Sequence, residues 1–124
     1  MEKVMIVDDN PIDQRITSHV YKSSRQNTEV IVMEGAIQAL DYLKKHKDQP
    51  EHLPSLILLD LDMPEMNGYD FLQQLKDYAA DLPKVCPVIV VTGSEIASDI
   101  EKMKADPHVI KLIPKPLNKL SFAF

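Results

Sequence analysis

Five short apolar runs, separated by longer amphipathic segments, constrain the fold of this chain more than any other feature. They predict strands at about 3–7, 29–34, 56–60, 87–91 and 109–113. Because these runs are nearly saturated with apolar residues, both faces of the sheet must be covered. Connections through single helices favour parallel neighbours with right-handed crossovers. The sequence therefore predicts an α/β fold with a doubly wound, five-stranded parallel sheet.

Capping residues and apolar spacing place helices between these strands. The first is predicted to begin at Pro11 after the N-cap Asn10, and the second to cover about 35–47. A third is predicted to follow an Asn67 cap, and a thinner fourth to cover about 95–105. The residues predicted to face the core are Ile12, Ile16, His19 and Val20 in the first helix, Ile37, Leu40 and Leu43 in the second, and Phe71, Leu72 and Leu75 in the third.

Length, charge and cysteine content exclude several classes of protein. The 124 residues are near the usual size of one domain, so we expect a single domain over 1–124. The net charge of -5 and the lack of a basic cluster give no reason to expect nucleic-acid binding. No apolar run is long enough for a membrane span or a signal peptide, so a cytoplasmic location is expected. Cys86 is the only cysteine, which rules out an internal disulfide, and we expect it to pack as a small apolar residue.

Polar side chains end or follow four of the predicted strands. Asp8 and Asp9 follow the first, Asp60 ends the third, Thr92 follows the fourth, and Lys115 lies just beyond the fifth. Open α/β folds bind ligands at the carboxyl ends of their parallel strands, so these side chains are predicted to form one site. Each residue alone also fits a turn or a helix cap. Their occurrence at the ends of four of the five strands favours a site.

The residue types indicate phosphoryl chemistry. Three converging carboxylates repel one another unless a cation lies between them, and an oxygen-only ligand set suits Mg²⁺. Lys115 adds a positive charge and Thr92 a hydroxyl donor. With Asp60 as the nucleophile, such a site would form an aspartyl phosphate whose oxygens the other groups stabilise.

The chain resembles, over essentially its whole length, the receiver domain of two-component response regulators. The matching segments are 4–9, 58–68, 90–93 and 115–116. The resemblance implies the strand order 2-1-3-4-5 and Asp60 as the phosphoacceptor. Asp9, Asp60 and the backbone carbonyl of Asp62 would bind Mg²⁺, with Asp8 acting largely through water. Thr92 and Lys115 would bind the phosphoryl oxygens, and the Lys115–Pro116 peptide would be cis.

The same resemblance implies a signalling module rather than an enzyme. It would take a phosphoryl group from a sensor histidine kinase or a histidine phosphotransfer protein, which would dock near Asn10, Pro11 and Gln14. No output domain follows in this sequence, so a stand-alone receiver that acts by contact with another protein is expected. A receiver used as a constitutive adaptor is one alternative. A haloacid-dehalogenase-type phosphatase is another, because Asp60-Leu61-Asp62 also resembles the opening motif of those enzymes.

Two features depart from the receiver pattern. Leu112 stands where receivers commonly carry an aromatic residue that rotates on activation, so aromatic switching is not expected. Only residues 117–124 remain for the fifth helix, about two turns, with Leu117, Leu120 and Phe124 predicted on one apolar face. Gly93, directly after Thr92, is expected to leave open the path by which a phosphodonor approaches Asp60.

Overall fold

In a computed structural model of the chain, five strands alternate with helices. The structure describes residues 2–60, 68–79, 87–93, 101, 104–115, 117–118 and 121–122. The strands are β1 (Glu2–Val7), β2 (Thr28–Met33), β3 (Leu56–Asp60), β4 (Val88–Thr92) and β5 (Val109–Pro114). The helices are α1 (Pro11–Ser24), α2 (Ala36–Lys45) and α3 (Gly68–Ala79), with a 3₁₀ turn at Pro50–His52. Each predicted strand is present to within one residue at either end.

The strands form one parallel sheet in the order β2-β1-β3-β4-β5. One buried cluster, on the face covered by α2 and α3, contains Leu40 and Phe71, and the cluster on the opposite face contains Tyr21 of α1 and Phe122. The sheet is therefore covered on both sides, which confirms the doubly wound fold and the strand order implied by the receiver resemblance.

The register between β4 and β5 contains one irregularity. Val88 pairs with Val109, but its neighbour Ile89 pairs with Lys111, so Ile110 has no direct partner on β4. Ile110 is 59% exposed. From Lys111 onward the pairing is regular, and Thr92 lies opposite Pro114 at the carboxyl edge.

Helix α1 begins as predicted but turns a different face toward the sheet. The Asn10 side chain accepts hydrogen bonds from the backbone N–H groups of Ile12 and Asp13, at 2.9 and 3.2 Å. The predicted inward stripe is wrong for three of its residues, since Ile12 is 68% exposed and Ile16 and His19 are also exposed. Its fourth residue, Val20, is partly buried and packs against the cluster that contains Tyr21, as predicted. The residues of α1 that are buried are Thr17 and Tyr21. Moving from position 16 to 17 rotates the helix by about 100°, and Tyr21 suits the buried face because its hydroxyl reaches Glu2 at 3.0 Å.

Helices α2 and α3 follow the predicted apolar spacing more closely. Helix α2 buries Ala36, Ala39, Leu40 and Leu43, but Ile37, predicted to face inward, is 42% exposed. Ala36 and Ala39 share the buried face with Leu40 and Leu43. Helix α3 buries Phe71, Leu72 and Leu75 as predicted. Residues 101, 104 and 105 of the predicted fourth helix are helical. The rest of that segment, Asn67 and Cys86 lie outside the described residues.

A buried aromatic residue anchors the C-terminal segment. Phe122 is fully buried, and its ring meets the edge of the Tyr21 ring with centroids 5.2 Å apart. Leu117 is half-buried, whereas Leu120 and Phe124, its predicted partners on one face, lie outside the described residues. Residues 117 and 118 are not helical, and residues 121 and 122 lie in a turn. The fifth helix stays a prediction, as does the cis Lys115–Pro116 peptide, because residue 116 is also not described. None of the helices that the structure describes combines the length and apolar character needed to cross a bilayer.

Candidate functional site

The carboxyl edge of the sheet carries the polar residues selected from the sequence. The strand registers align Val7 with Leu59 and Asp60 with Val91, so that β1, β3 and β4 end at one level. Asp8, Asp60 and Thr92 are buried there, and Asp9 is exposed at the rim. The backbone N–H of Lys115 donates to the carbonyl of Thr92 at 2.8 Å, which attaches the end of β5 to the same edge.

Three carboxylates converge at this edge. Each of Asp8, Asp9 and Asp60 offers an oxygen within 4.8 Å of the others. Burial raises the pKa of Asp8 from 3.8 to about 6, and the nearby Asp60 carboxylate adds to that effect. The hydrogen bond from the Asn10 backbone N–H at 2.9 Å and the charge of Lys115 act in the opposite direction but do not cancel the increase. The cluster therefore has too little positive charge around it, and its oxygen-only donor set fits a hard divalent cation such as Mg²⁺.

Local hydrogen bonds hold the connection between β1 and α1 against the sheet. The backbone N–H of Asp8 donates to the carbonyl of Met33 on β2 at 3.1 Å. The Gln14 side-chain amide donates to the carbonyl of Asp8 at 2.6 Å. Asp8 is therefore fixed from both sides, by the neighbouring strand and by the first turn of α1.

Lys115 contacts two carboxylates that lie on different elements. Its Nζ is 3.4 Å from Asp60 Oδ1 on β3 and 3.3 Å from Asp13 Oδ2 on α1. Burial alone would lower the pKa of Lys115, but the charges of Asp60, Asp8 and Asp13 together raise it. Lys115 is therefore held as an ammonium at neutral pH. Asp13 was not among the residues predicted from the sequence, because it does not follow a strand. The sequence did place Asp13 in the first turn of a helix that begins at the carboxyl edge of the sheet, and this position could have suggested that it lies near the site.

Three further residues were singled out from the sequence: Gly93, Leu112 and Asp62. A Cβ added to Gly93 would have no atom within 4 Å, so the space beside Thr92 is open among the described residues. Leu112 is half-buried and packs against the cluster that contains Leu40 and Phe71. The backbone carbonyl of Asp62, predicted as a metal ligand, lies outside the described residues.

Comparison with known protein families gives one match over nearly the whole chain. The model of the response regulator receiver domain matches residues 4–122. All of the strand-end residues discussed above fall within that range.

Individual relatives agree with this match. The chain is 31% identical over 118 residues to the polar-differentiation response regulator DivK of Brucella anthropi, covering 93% of this chain and 88% of DivK. It is 31% identical over 100 residues to the response regulator Rcp1 of Synechocystis, covering 78% of this chain. The chain spans 65% of the length of Rcp1 and 39% of that of the rice two-component response regulator ORR1.

Solved structures show the same architecture. The Mn²⁺-bound form of Rcp1 superposes with a TM-score of 0.77 at 28% identity, covering 95% of this chain and 84% of that one. The bacteriophytochrome response regulator RtBRR gives a TM-score of 0.79 at 31% identity, covering 99% and 74%. A chemotaxis protein of Vibrio cholerae, CheY4, gives 0.78 at 23% identity, covering 99% and 93%, and supports the fold alone.

Proposed function

This chain belongs to the response regulator receiver domain family, and we propose that it accepts a phosphoryl group on Asp60 within a two-component phosphorelay. Receiver domains are signalling modules of such systems. The observation that carries the proposal is the surroundings of Asp60: it is buried beside two other carboxylates, and an ammonium lies 3.4 Å from its Oδ1. A carboxylate in this position is a nucleophile with cationic support close by.

The proposed step moves the phosphoryl group from a phosphohistidine to Asp60. A carboxylate oxygen of Asp60 forms a bond to phosphorus while the phosphorus–nitrogen bond of the donor breaks. The imidazole leaves with the electron pair of that bond and takes up a proton from water. The carboxylate, with one negative charge, becomes an acyl phosphate with about two, so the site needs more positive charge after the transfer than before.

The side chains around Asp60 match that need. Lys115, whose pKa its acidic neighbours raise, stays an ammonium throughout and binds one phosphoryl oxygen. The hydroxyl of Thr92, at the end of the adjacent strand, donates to another. Among the described residues the space beside Gly93 is open, and we propose that it gives the donor a path to the carboxylate.

Receiver domains bind Mg²⁺, and the acidic cluster at this edge fits that ion. We assign Asp8, Asp9 and Asp60 as the residues that hold it, together with the backbone carbonyl of Asp62, and Asp8 acts largely through water. When bound, the ion neutralises charge on the phosphoryl oxygens. Binding of the ion would also compensate the buried negative charge of Asp8, which favours binding.

The proposed partners are a sensor histidine kinase or histidine phosphotransfer protein as donor, and a downstream protein that distinguishes the phosphorylated form. The donor docks at the start of α1, near Asn10, Pro11 and Gln14. We propose that residues 1–124 form a single domain that works in the cytoplasm. It acts through protein contacts rather than as an enzyme: phosphorylation shifts the population between two conformers, and the downstream protein binds one of them more tightly. With Leu112 at the usual aromatic position, that shift proceeds without rotation of an aromatic ring there.

Labelling with acetyl phosphate and Mg²⁺ tests the proposal. Intact-mass spectrometry should show one phosphoryl group on the wild type and none on Asp60→Asn, which keeps the size of the side chain. Asp41→Asn, an exposed change on α2, should label as the wild type does. Failure of both acetyl phosphate and a histidine donor to label the wild type would instead support a constitutive adaptor. Multiple turnover of small phosphate monoesters would support a phosphatase of the haloacid-dehalogenase type.

A further inference from the structure

Lys115 is shared between the proposed phosphorylation site and helix α1. Its ammonium lies 3.4 Å from Asp60 Oδ1 and 3.3 Å from Asp13 Oδ2, so neither carboxylate is clearly preferred. The two partners lie on different elements, since Asp60 ends β3 and Asp13 is in the first turn of α1. The ammonium therefore links the carboxyl edge of the sheet to α1.

Helix α1 holds Asp13 in this position through its backbone. The Asp13 N–H donates to the Asn10 side chain at 3.2 Å, and the N–H of Gln14 donates to the carbonyl of Asn10 at 2.9 Å. Both residues of the ion pair are partly open to solvent, with side-chain exposures of 25% for Lys115 and 36% for Asp13. The pair can therefore break without burying an uncompensated charge.

A phosphoryl group on Asp60 would compete directly for this ammonium. It brings a second negative charge and three oxygens to the carboxylate that Lys115 already contacts. Asp13 keeps a single charge at 3.3 Å from the ammonium, so the phosphoryl group, with its larger charge and three oxygens, is the stronger partner. Asp13 also repels the added negative charge.

We propose that Lys115 is shared between Asp60 and Asp13 at rest and that phosphorylation of Asp60 draws the ammonium away from Asp13, leaving an uncompensated carboxylate on α1. This inference rests on the proposed function. It makes Asp13 a positioning residue that limits how strongly the site holds a phosphoryl group. It also gives phosphorylation a direct effect on the surface of α1 that does not involve residue 112.

The surface affected is a concavity of about 340 Å³ beside the ion pair. Asp13, Ile16, Thr17, Lys115 and Leu117 line it, so it joins α1 to the segment that follows β5. Ile16 is exposed and Leu117 half-buried, and both carry methyl groups that report on nearby charge and packing. Departure of the Lys115 ammonium would change this concavity from charge-balanced to acidic.

Binding of beryllofluoride with Mg²⁺, a phosphoryl mimic, tests the inference by calorimetry and ¹⁹F NMR. Asp13→Asn removes the charge and keeps the shape, and should bind the mimic about five-fold more tightly, equivalent to about 1 kcal/mol. Asp41→Asn makes the same change of charge on α2, over the opposite face of the sheet, and should bind as the wild type does. Asp13→Glu, which keeps the charge, should restore affinity toward the wild-type value. Equal affinity of Asp13→Asn and the wild type would overturn the inference.

Methyl NMR supplies a second measurement that a purely structural role would not affect. In the wild type, beryllofluoride should shift the Ile16 and Leu117 methyl resonances. In Asp13→Asn, which has no carboxylate to leave uncompensated, these resonances should move less on binding. If the wild type does not bind beryllofluoride in a way that requires Asp60, the proposed function fails and the inference with it. If binding requires Asp60 but these methyls move equally in both proteins, only the inference fails.

Discussion

Replacing Asp8 with Asn should stabilise the metal-free protein at neutral pH. Asp8 is only 3% exposed, and burial, with help from Asp60, raises its pKa from 3.8 to about 6. An increase of about two pKa units corresponds to about 3 kcal/mol spent on keeping this carboxylate ionised in the folded state. Asn keeps the oxygen that accepts the Asn10 N–H, so Asp8→Asn should recover about 2 to 3 kcal/mol at pH 7.5.

The sign of the pH dependence follows from the direction of the shift. Because the folded-state pKa of Asp8 lies above its unfolded value, the folded protein holds the proton more tightly. The stability that this provides is fully present below about pH 3.8 and is lost as the pH rises through about 6. The advantage of Asp8→Asn should therefore be small near pH 4 and reach its full size above about pH 6.

Urea unfolding followed by circular dichroism, with EDTA present, measures this difference at pH 4.5 and 7.5. The melting temperature at pH 7.5 should rise by roughly 10 °C. Saturating Mg²⁺ should stabilise the wild type more than the variant and narrow the gap. An equal gain at both pH values, or no gain at pH 7.5, would show that the burial of Asp8 is not a source of electrostatic strain.

Three other substitutions test separate parts of the structure. Asn10→Ala removes the oxygen that caps α1 and should lower the free energy of unfolding by about 1 kcal/mol, whereas Asn10→Asp should retain most of it. Phe122→Ala should cost about 3 to 5 kcal/mol because the ring is fully buried against Tyr21, and a cost below about 1 kcal/mol would mean that the C-terminal segment is not docked in solution. Gly93→Ala should change the free energy of unfolding by less than about 0.5 kcal/mol, because the new methyl group meets no described atom within 4 Å. The same substitution should slow labelling by acetyl phosphate, and an unchanged rate would remove the proposed approach path.

The strands and the polar residues at their ends could be predicted from the sequence because both depend on the pattern of neighbouring residues. A buried parallel strand needs a nearly continuous apolar run, and the direction of the chain then fixes which end carries the polar residue. Asp60 at the end of Leu56–Asp60 is the clearest case. Its neighbours in space, Asp8 and Lys115, could be selected because they occupy the same position relative to their own strands.

The face of α1 that packs on the sheet and the docking of the C-terminal segment could not be predicted in that way. Ile12 and Ile16 suggested one buried face, but the sheet receives Thr17 and Tyr21, because a tyrosine can fill the space and still bring its hydroxyl to Glu2. Phe122 was missed because its place is determined by contact with Tyr21, about a hundred positions earlier in the chain. Asp13 was missed for a related reason: its partner is distant in sequence, and no periodicity connects the two.

The unpaired residue of β5 determines how that strand meets the carboxyl edge. Ile110 has no partner on β4, and after it the pairing resumes one step later, so Pro114 rather than Ile113 lies opposite Thr92. If β5 paired with β4 without this irregularity, Ile113 would lie opposite Thr92 and Lys115 one position farther past the edge, and because side chains alternate along a strand, Ile113 would leave the buried cluster that it shares with Tyr21. The contribution of Ile110 is therefore one of register: because it lies outside the pairing, Val109 and Lys111 both face neighbouring residues of β4, and Lys115 stays next to the edge.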